Sequence, residues 1–194
     1  DTAADEDTIN VQTIGSAMTV NAGDNDDTIN VGSFAPAGGG TVNAISAPLA
    51  VNGEEGEDTL NVDDTGDSDP NNGRLTATTL TGLGMTDGIG YGTLEHLSIG
   101  LGSGEDVFTI AGTHTGTTML DTGAEDDTVY VQDVQGETLV RTGTGRDMVN
   151  VLDTHAAAVI ESEEDDDVVN LRAIGADLSV NAGDGDDQIR VGSN

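Results

Sequence analysis

The chain of 194 residues has no cysteine, no tryptophan and no lysine, and only two tyrosines and two phenylalanines. The absence of cysteine leaves the redox compartment open. So few aromatics within a 35% apolar composition exclude a large globular core. Basic residues are scarce: five arginines face 37 acidic residues, for a net charge of −32. That imbalance excludes nucleic acid and anionic lipid as partners, since both would be repelled, and it favours cations. A salt-adapted proteome is the minor alternative source of such acidity. No apolar run approaches the ~18 residues of a membrane span and no signal peptide is visible, so membrane insertion is not expected. Low apolar content with high net charge ordinarily signals disorder. Here the apolar residues are placed too regularly for that.

The regularity is a repeat. The last acidic residue before each apolar pair falls at Asp7, Asp27, Asp58, Asp106, Asp127, Asp147, Asp167 and Asp187, with gaps of 20, 31, 48, 21, 20, 20 and 20. A period of about 20 is interrupted by insertions near 34–47 and 63–74, and the stretch between Asp58 and Asp106 is expected to hold two coils with a long loop. Two residues after each anchor stand Ile9, Ile29, Leu60, Phe108, Val129, Val149, Val169 and Ile189. Four after stand Val11, Val31, Val62, Ile110, Val131, Val151, Leu171 and Val191. The residues between are Asn, Thr, Tyr or Arg, which gives period two and a strand with one buried face. Seven before the anchor runs a second ladder, Val20, Val51, Ile99, Leu120, Val140, Ile160 and Val180. Each coil thus carries two short strands and two turns, one rich in Gly and Asp, the other variable.

A unit of 20 residues cannot bury its own apolar face, so coils must stack, like strand on like strand. The expected fold is all-β: one parallel β-solenoid over residues 1–194, two strands per coil, with the acidic turns in a single column along one edge. Residues 11–33 also align with 171–193 at an offset of 160, with thirteen positions unchanged, among them Ile14, Val20, Asp27, Ile29 and Val31. The chain opens within a repeat at Asp1, and it reads as one super-repeat plus the start of the next, from a longer protein whose adjacent repeats its coils would contact.

The acidic turn carries the chemistry. Gly183-Asp184-Gly185-Asp186-Asp187 before Ile189 reads G-x-G-x-D-x-apolar, as do Gly102, Gly104 and Asp106 before Phe108, and Gly143, Gly145 and Asp147 before Val149. Gly23-Asp24-Asn25-Asp26-Asp27 puts Asn at the second glycine, a residue that also tolerates positive φ. Glycines permit a tight turn that aims carbonyls at one point, and the aspartate adds a carboxylate; an all-oxygen set suits a hard cation, Ca2+. Stacked anchors about 4.8 Å apart repel by about 0.9 kcal/mol in bulk water and about 3.5 kcal/mol at an effective dielectric of 20. Asp26, Glu57, Asp126, Asp166 and Asp186 beside the anchors reinforce the column. Divalent ions between turns would reverse the sign of that term.

These turns resemble the glycine- and aspartate-rich calcium-binding repeats of the RTX (hemolysin-type) family, whose nonapeptides wind a parallel β-roll around calcium. The resemblance covers about eight turns. It departs in carrying the motif at one turn per coil rather than both, and in having Asp5, Glu125 and Asp165 at the second glycine and Glu54 near the first. Residues 80–84 and 91–110 look like segments of giant repetitive bacterial surface proteins. The two resemblances imply a secreted or cell-surface structural element, an extender, fibre or matrix module rigidified by calcium, for which homotypic self-association into fibres is one option. An enzyme is not expected, because a catalytic pair is singular whereas these aspartates recur in every coil, and no tryptophan offers a sugar platform. The alternative is an adhesive module with a face for carbohydrate, ice or self-association.

Other features admit two readings each. Asp67, Asp69 and Asn71 have D-x-D-x-N spacing, either a separate calcium site or a solvated insertion. Met119, Leu139 and Val159 form an apolar stripe that reflects either a shifted strand register or an outward face for lateral contact. His96, His114 and His155 have no partner at ligand spacing and read as surface residues. Thr8-x-Asn10, Thr28-x-Asn30 and Thr59-x-Asn61 form a short Thr/Asn ladder.

Overall fold

The computed structural model describes residues 5–192. The alternation of apolar and polar side chains produces short strands in pairs. The N-terminal part comprises β1 (Thr8–Val11), β2 (Met18–Asp24), β3 (Thr28–Val31), β4 (Leu49–Glu55) and β5 (Thr59–Asp63). The divergent stretch forms β6 (Asn72–Leu75), β7 (Thr79–Gly82) and β8 (Ile89–Gly92). The C-terminal part comprises β9 (His96–Gly100), β10 (Val107–Ile110), β11 (Thr117–Asp121), β12 (Thr128–Val131), β13 (Thr138–Arg141), β14 (Met148–Val151), β15 (Ala158–Glu161), β16 (Val168–Leu171), β17 (Leu178–Asn181) and β18 (Gln188–Val191).

The strands stack into two sheets that face each other across a thin core, an all-β parallel solenoid. One has eight strands in the order β1-β3-β5-β9-β11-β13-β15-β17; the other has ten, β18-β16-β14-β12-β10-β6-β7-β8-β4-β2. Registers follow the repeat: Ile29 pairs with Ile9 and Leu60, and Val149 with Val129 and Val169. Both apolar ladders point inward, and Ile29, Val51, Leu60, Phe108, Leu120, Val149 and Ile160 are fully buried.

Three expectations are corrected. First, the stretch between Asp58 and Asp106 does not hold two regular coils. It forms a meander in which β7 is antiparallel to both β6 and β8. Gly73 on β6 leaves the space that the Phe108 ring of β10 fills; a Cβ there would lie 2.3 Å from Phe108 Cδ2.

Second, like strands do not stack throughout. The meander occupies three places in the ten-stranded sheet, so the strand that follows it, β9, lands on β5 in the eight-stranded sheet. β5 follows its anchor and β9 precedes its own. From that junction onward the two kinds of strand exchange sheets.

Third, the acidic turns therefore do not share one edge. Those before Asp27 and Asp58 lead from the ten-stranded to the eight-stranded sheet, and those before Asp106, Asp127, Asp147, Asp167 and Asp187 lead the other way. The single column is two columns on opposite edges. The insertion at 34–47 sits on the second edge, where its Val42 and Ile45 are fully buried and Ile45 bridges to Ile14.

Candidate functional site: two buried aspartate ladders

In most of the acidic turns, though not in the one before Asp106, the backbone enters the left-handed region twice. Gly143 (φ +87°) and Gly145 (φ +127°) do so, as do Gly183 (φ +82°) and Gly185 (φ +153°), and Gly23 (φ +118°) with Asn25 (φ +75°). Where acids replace glycine the shape persists: Glu125 has φ +75°, Asp165 +78°, Glu163 +69° and Glu54 +85°. The coils that depart from the motif in sequence keep its turn, with local strain at each non-glycine position. Gly102 and Gly104 serve a different need, close approach: a Cβ at either would lie 1.8 Å from Asp67 O or 2.4 Å from Asp69 O.

This turn swings each anchor carboxylate inward. Asp27, Asp58, Asp106, Asp127, Asp147 and Asp167 are all buried. Most anchor Oδ1 atoms accept a hydrogen bond from the anchor N–H of the preceding coil; at the junction Asp106 Oδ1 accepts instead from Asn71 N–H at 2.7 Å. On the first edge Asp7 N–H donates to Asp27 at 2.7 Å and Asp27 N–H to Asp58 at 2.9 Å. On the second edge Asp106 donates to Asp127 at 2.7 Å, Asp127 to Asp147 and Asp147 to Asp167 at 2.8 Å, and Asp167 to Asp187 at 3.0 Å. The acids one position earlier bond in the opposite direction: the Oδ1 atoms of Asp26, Asp126 and Asp166 accept from the N–H groups of Glu57, Arg146 and Asp186 in the following coil. Adjacent turns are thus stitched both ways. Asp24, Glu57, Asp126, Asp166, Asp184 and Asp186 keep their side chains exposed.

The second anchor oxygen is the unusual one. Oδ2 of Asp7, Asp27, Asp58, Asp127, Asp147 and Asp167 is buried and has no hydrogen-bond partner. A buried acceptor left unsatisfied costs about 1–3 kcal/mol, more if charged. Desolvation is accordingly the main cause that pushes Asp127 up to about 7 and Asp147 up to about 6, with the neighbouring anchors adding repulsion. Asp58, Asp106 and Asp167 are raised in the same direction, again chiefly by burial. The Thr122, Thr142 and Ser162 hydroxyls beside Asp127, Asp147 and Asp167 oppose the shift.

Two further acids, the half-buried Glu95 and the buried Asp64, escape the repeat pattern. Glu95 ends the first ladder, its Oε2 accepting from Asp58 N–H at 2.8 Å, and beyond it the edge is lined by Thr113, Val134 and Thr154. Asp64 accepts from Val42 N–H at 2.9 Å and is pushed up to about 7 by burial. Neither has a spacing that the 20-residue period could reveal. Asp67, by contrast, accepts from Asp69 N–H and from the Asn43 and Asn71 amides, which hold it below the usual carboxylate range against its burial. These bonds tie the acidic insertion down internally.

Met119, Leu139 and Val159 are in register with one another on the outer face of the eight-stranded sheet, each half-buried, so no shift of strand register produces them. Of the histidines, His96 and His155 are exposed, while His114 is half-buried and stacks edge-on against Tyr91.

Among the described residues no three His, Asp or Glu side chains converge on one point. A cation in an acidic turn would therefore take one or two carboxylates and complete its shell with carbonyls and water, a set that calcium accepts. Several of those carbonyls, Gly102, Gly123 and Gly143 among them, already receive an N–H from the next coil and retain one lone pair. Among the described residues no helix is long and apolar enough to cross a membrane. The chain matches no family model, no curated protein and no solved structure.

Proposed function

We propose that this chain is a calcium-binding structural module of a secreted or cell-surface protein, an extender, fibre or matrix element with no catalytic role. The observation that carries the reading is the row of buried anchor carboxylates whose Oδ2 atoms have no partner. Such a row is costly as anions and inert as acids, and a divalent ion removes both the desolvation cost and the repulsion between coils. The residues that would hold it are the anchors, with the turn glycine carbonyls as supporting ligands. The ion would supply charge neutralisation alone. The resemblance of the turns to RTX repeats points the same way, and so does the net charge of −32.

The test is a calcium titration of metal-stripped chain in low salt, followed by circular dichroism and thermal melting. β signal and melting temperature should rise into the millimolar range and fall again with chelator. An unchanged melt after stripping would end this reading.

A second reading, an adhesive or self-associating face, is favoured by the outward stripe of Met119, Leu139 and Val159, flanked by the Arg141–Glu161 ion pair at 2.8 Å. Light scattering across calcium and protein concentrations tests it; a monomer throughout would remove it for this chain.

A further inference from the structure

Residues 11–33 and 171–193 share thirteen of 23 positions, and the described parts of the two copies lie in different surroundings. In the first copy Ile14, Val20, Ile29 and Val31 are all buried, at 7% exposure or less. In the second, Val180 is half-buried, and Ile174, Ile189 and Val191 are exposed at 48%, 49% and 74%. Side-chain chemistry is identical at these positions, so the difference lies in what covers them. In the first copy the cover is residues 35–63: Ile45 bridges to Ile14, β4 lies on β2 with Val51 against Val20, and β5 lies on β3 with Leu60 against Ile29 and Val62 against Val31. Polar bonds accompany the apolar ones. Asp27 N–H reaches Asp58 Oδ1, Glu57 N–H reaches Asp26 Oδ1, and Asn52 and Asn61 bond to Asn21 and Asn30. The same donors and acceptors stand at Asp187, Asp186 and Asn181, with Arg190 in place of Asn30.

The two copies also occupy opposite sheets. β2 belongs to the ten-stranded sheet and β3 to the eight-stranded one; their counterparts β17 and β18 are reversed. One offset of 160 residues has exchanged the sheets.

We propose that the face formed by β17 and β18 is the seat for a second copy of the repeat joined in tandem, entering through its segment 35–63, and that this second copy is turned half a revolution about the rod axis. Each super-repeat would then place its acidic columns on the edges opposite to those of its neighbour. The cation sites would alternate sides along a fibre with a true period of two super-repeats.

The experiment appends residues 35–63 directly after Asn194, which preserves the 160-residue offset, at one fixed calcium concentration so that the outcome does not depend on the ion reading. The extended chain should melt higher than the original and protect the appended segment from protease. Val191→Asp should be silent in the original chain, where Val191 is exposed, and should abolish the gain in the extended one. Spin labels report the half-turn: a label at the appended counterpart of Glu57 should lie about 14 Å, three coils, from one at Arg146. Its distance to a label at His155, on the other edge, should be longer. An appended segment cleaved like a free tail, a Val191→Asp effect equal in both chains, or a shorter distance to His155 would each overturn the proposal.

Discussion

Asp147→Asn separates the two states of the ladder because it should stabilise the metal-free form and lose that advantage in the calcium-filled one. Asp147 accepts from Asp127 N–H through Oδ1, and its buried Oδ2 has no partner beside Thr142. Its carboxyl is raised from 3.8 to about 6, chiefly by burial. A folded value above the unfolded one means that the metal-free fold prefers the protonated form. Stability is then full below about pH 4, falls as pH rises through 6, and stays low above. At about 1.4 kcal/mol per unit, the shift costs about 3 kcal/mol at neutral pH. Asparagine keeps the Oδ1 acceptor, removes the charge and offers its amide to the Thr142 hydroxyl. In chelator at pH 7.5, urea unfolding followed by circular dichroism should show the variant more stable by about 2–3 kcal/mol, and less sensitive to pH between 4 and 7. In saturating calcium that advantage should disappear, because the variant has lost a ligand; a site filled at a hundredfold excess over its Kd contributes about 2.7 kcal/mol to the parent alone. A variant less stable in chelator, or one with an unaltered calcium response, would refute the reasoning.

Turn geometry gives two further tests by thermal or urea unfolding. Gly145→Ala would put a Cβ 2.3 Å from Glu125 O at φ +127° and should cost about 2–3 kcal/mol or more, whereas Gly15→Ala meets nothing within 4 Å and should be near neutral. Glu125→Gly should stabilise by up to about 1 kcal/mol, since it relieves a left-handed non-glycine at φ +75° and one repulsive charge at once.

Much of the fold is legible in the residues. The period of 20, the two inward ladders and the Gly/Asp turn are local patterns, and burial of one face of a short strand is enough to enforce them. Asn25 at positive φ is foreseeable from its tolerance of that region. The persistence of the turn at Glu125 and Asp165 is not: there the stacked coils above and below hold a backbone that the residue itself disfavours. The roles of Glu95 and Asp64 are hidden for a different reason. Each is placed by the meander and the insertions, which have no period to extrapolate.

The sequence by itself determined which residues face inward, where coils begin and which turns carry charge, because these depend on neighbours within one coil. Only the tertiary structure decided which sheet each strand joins and on which edge each acidic turn lies. That assignment depends on how the chain crosses from β5 to β9 by way of β6, β7 and β8, a count accumulated along the chain rather than encoded at any position. Residues 11–33 and 171–193 make the point: two copies that share thirteen of 23 positions place their strands in opposite sheets, because what precedes each has left the solenoid half a coil out of phase.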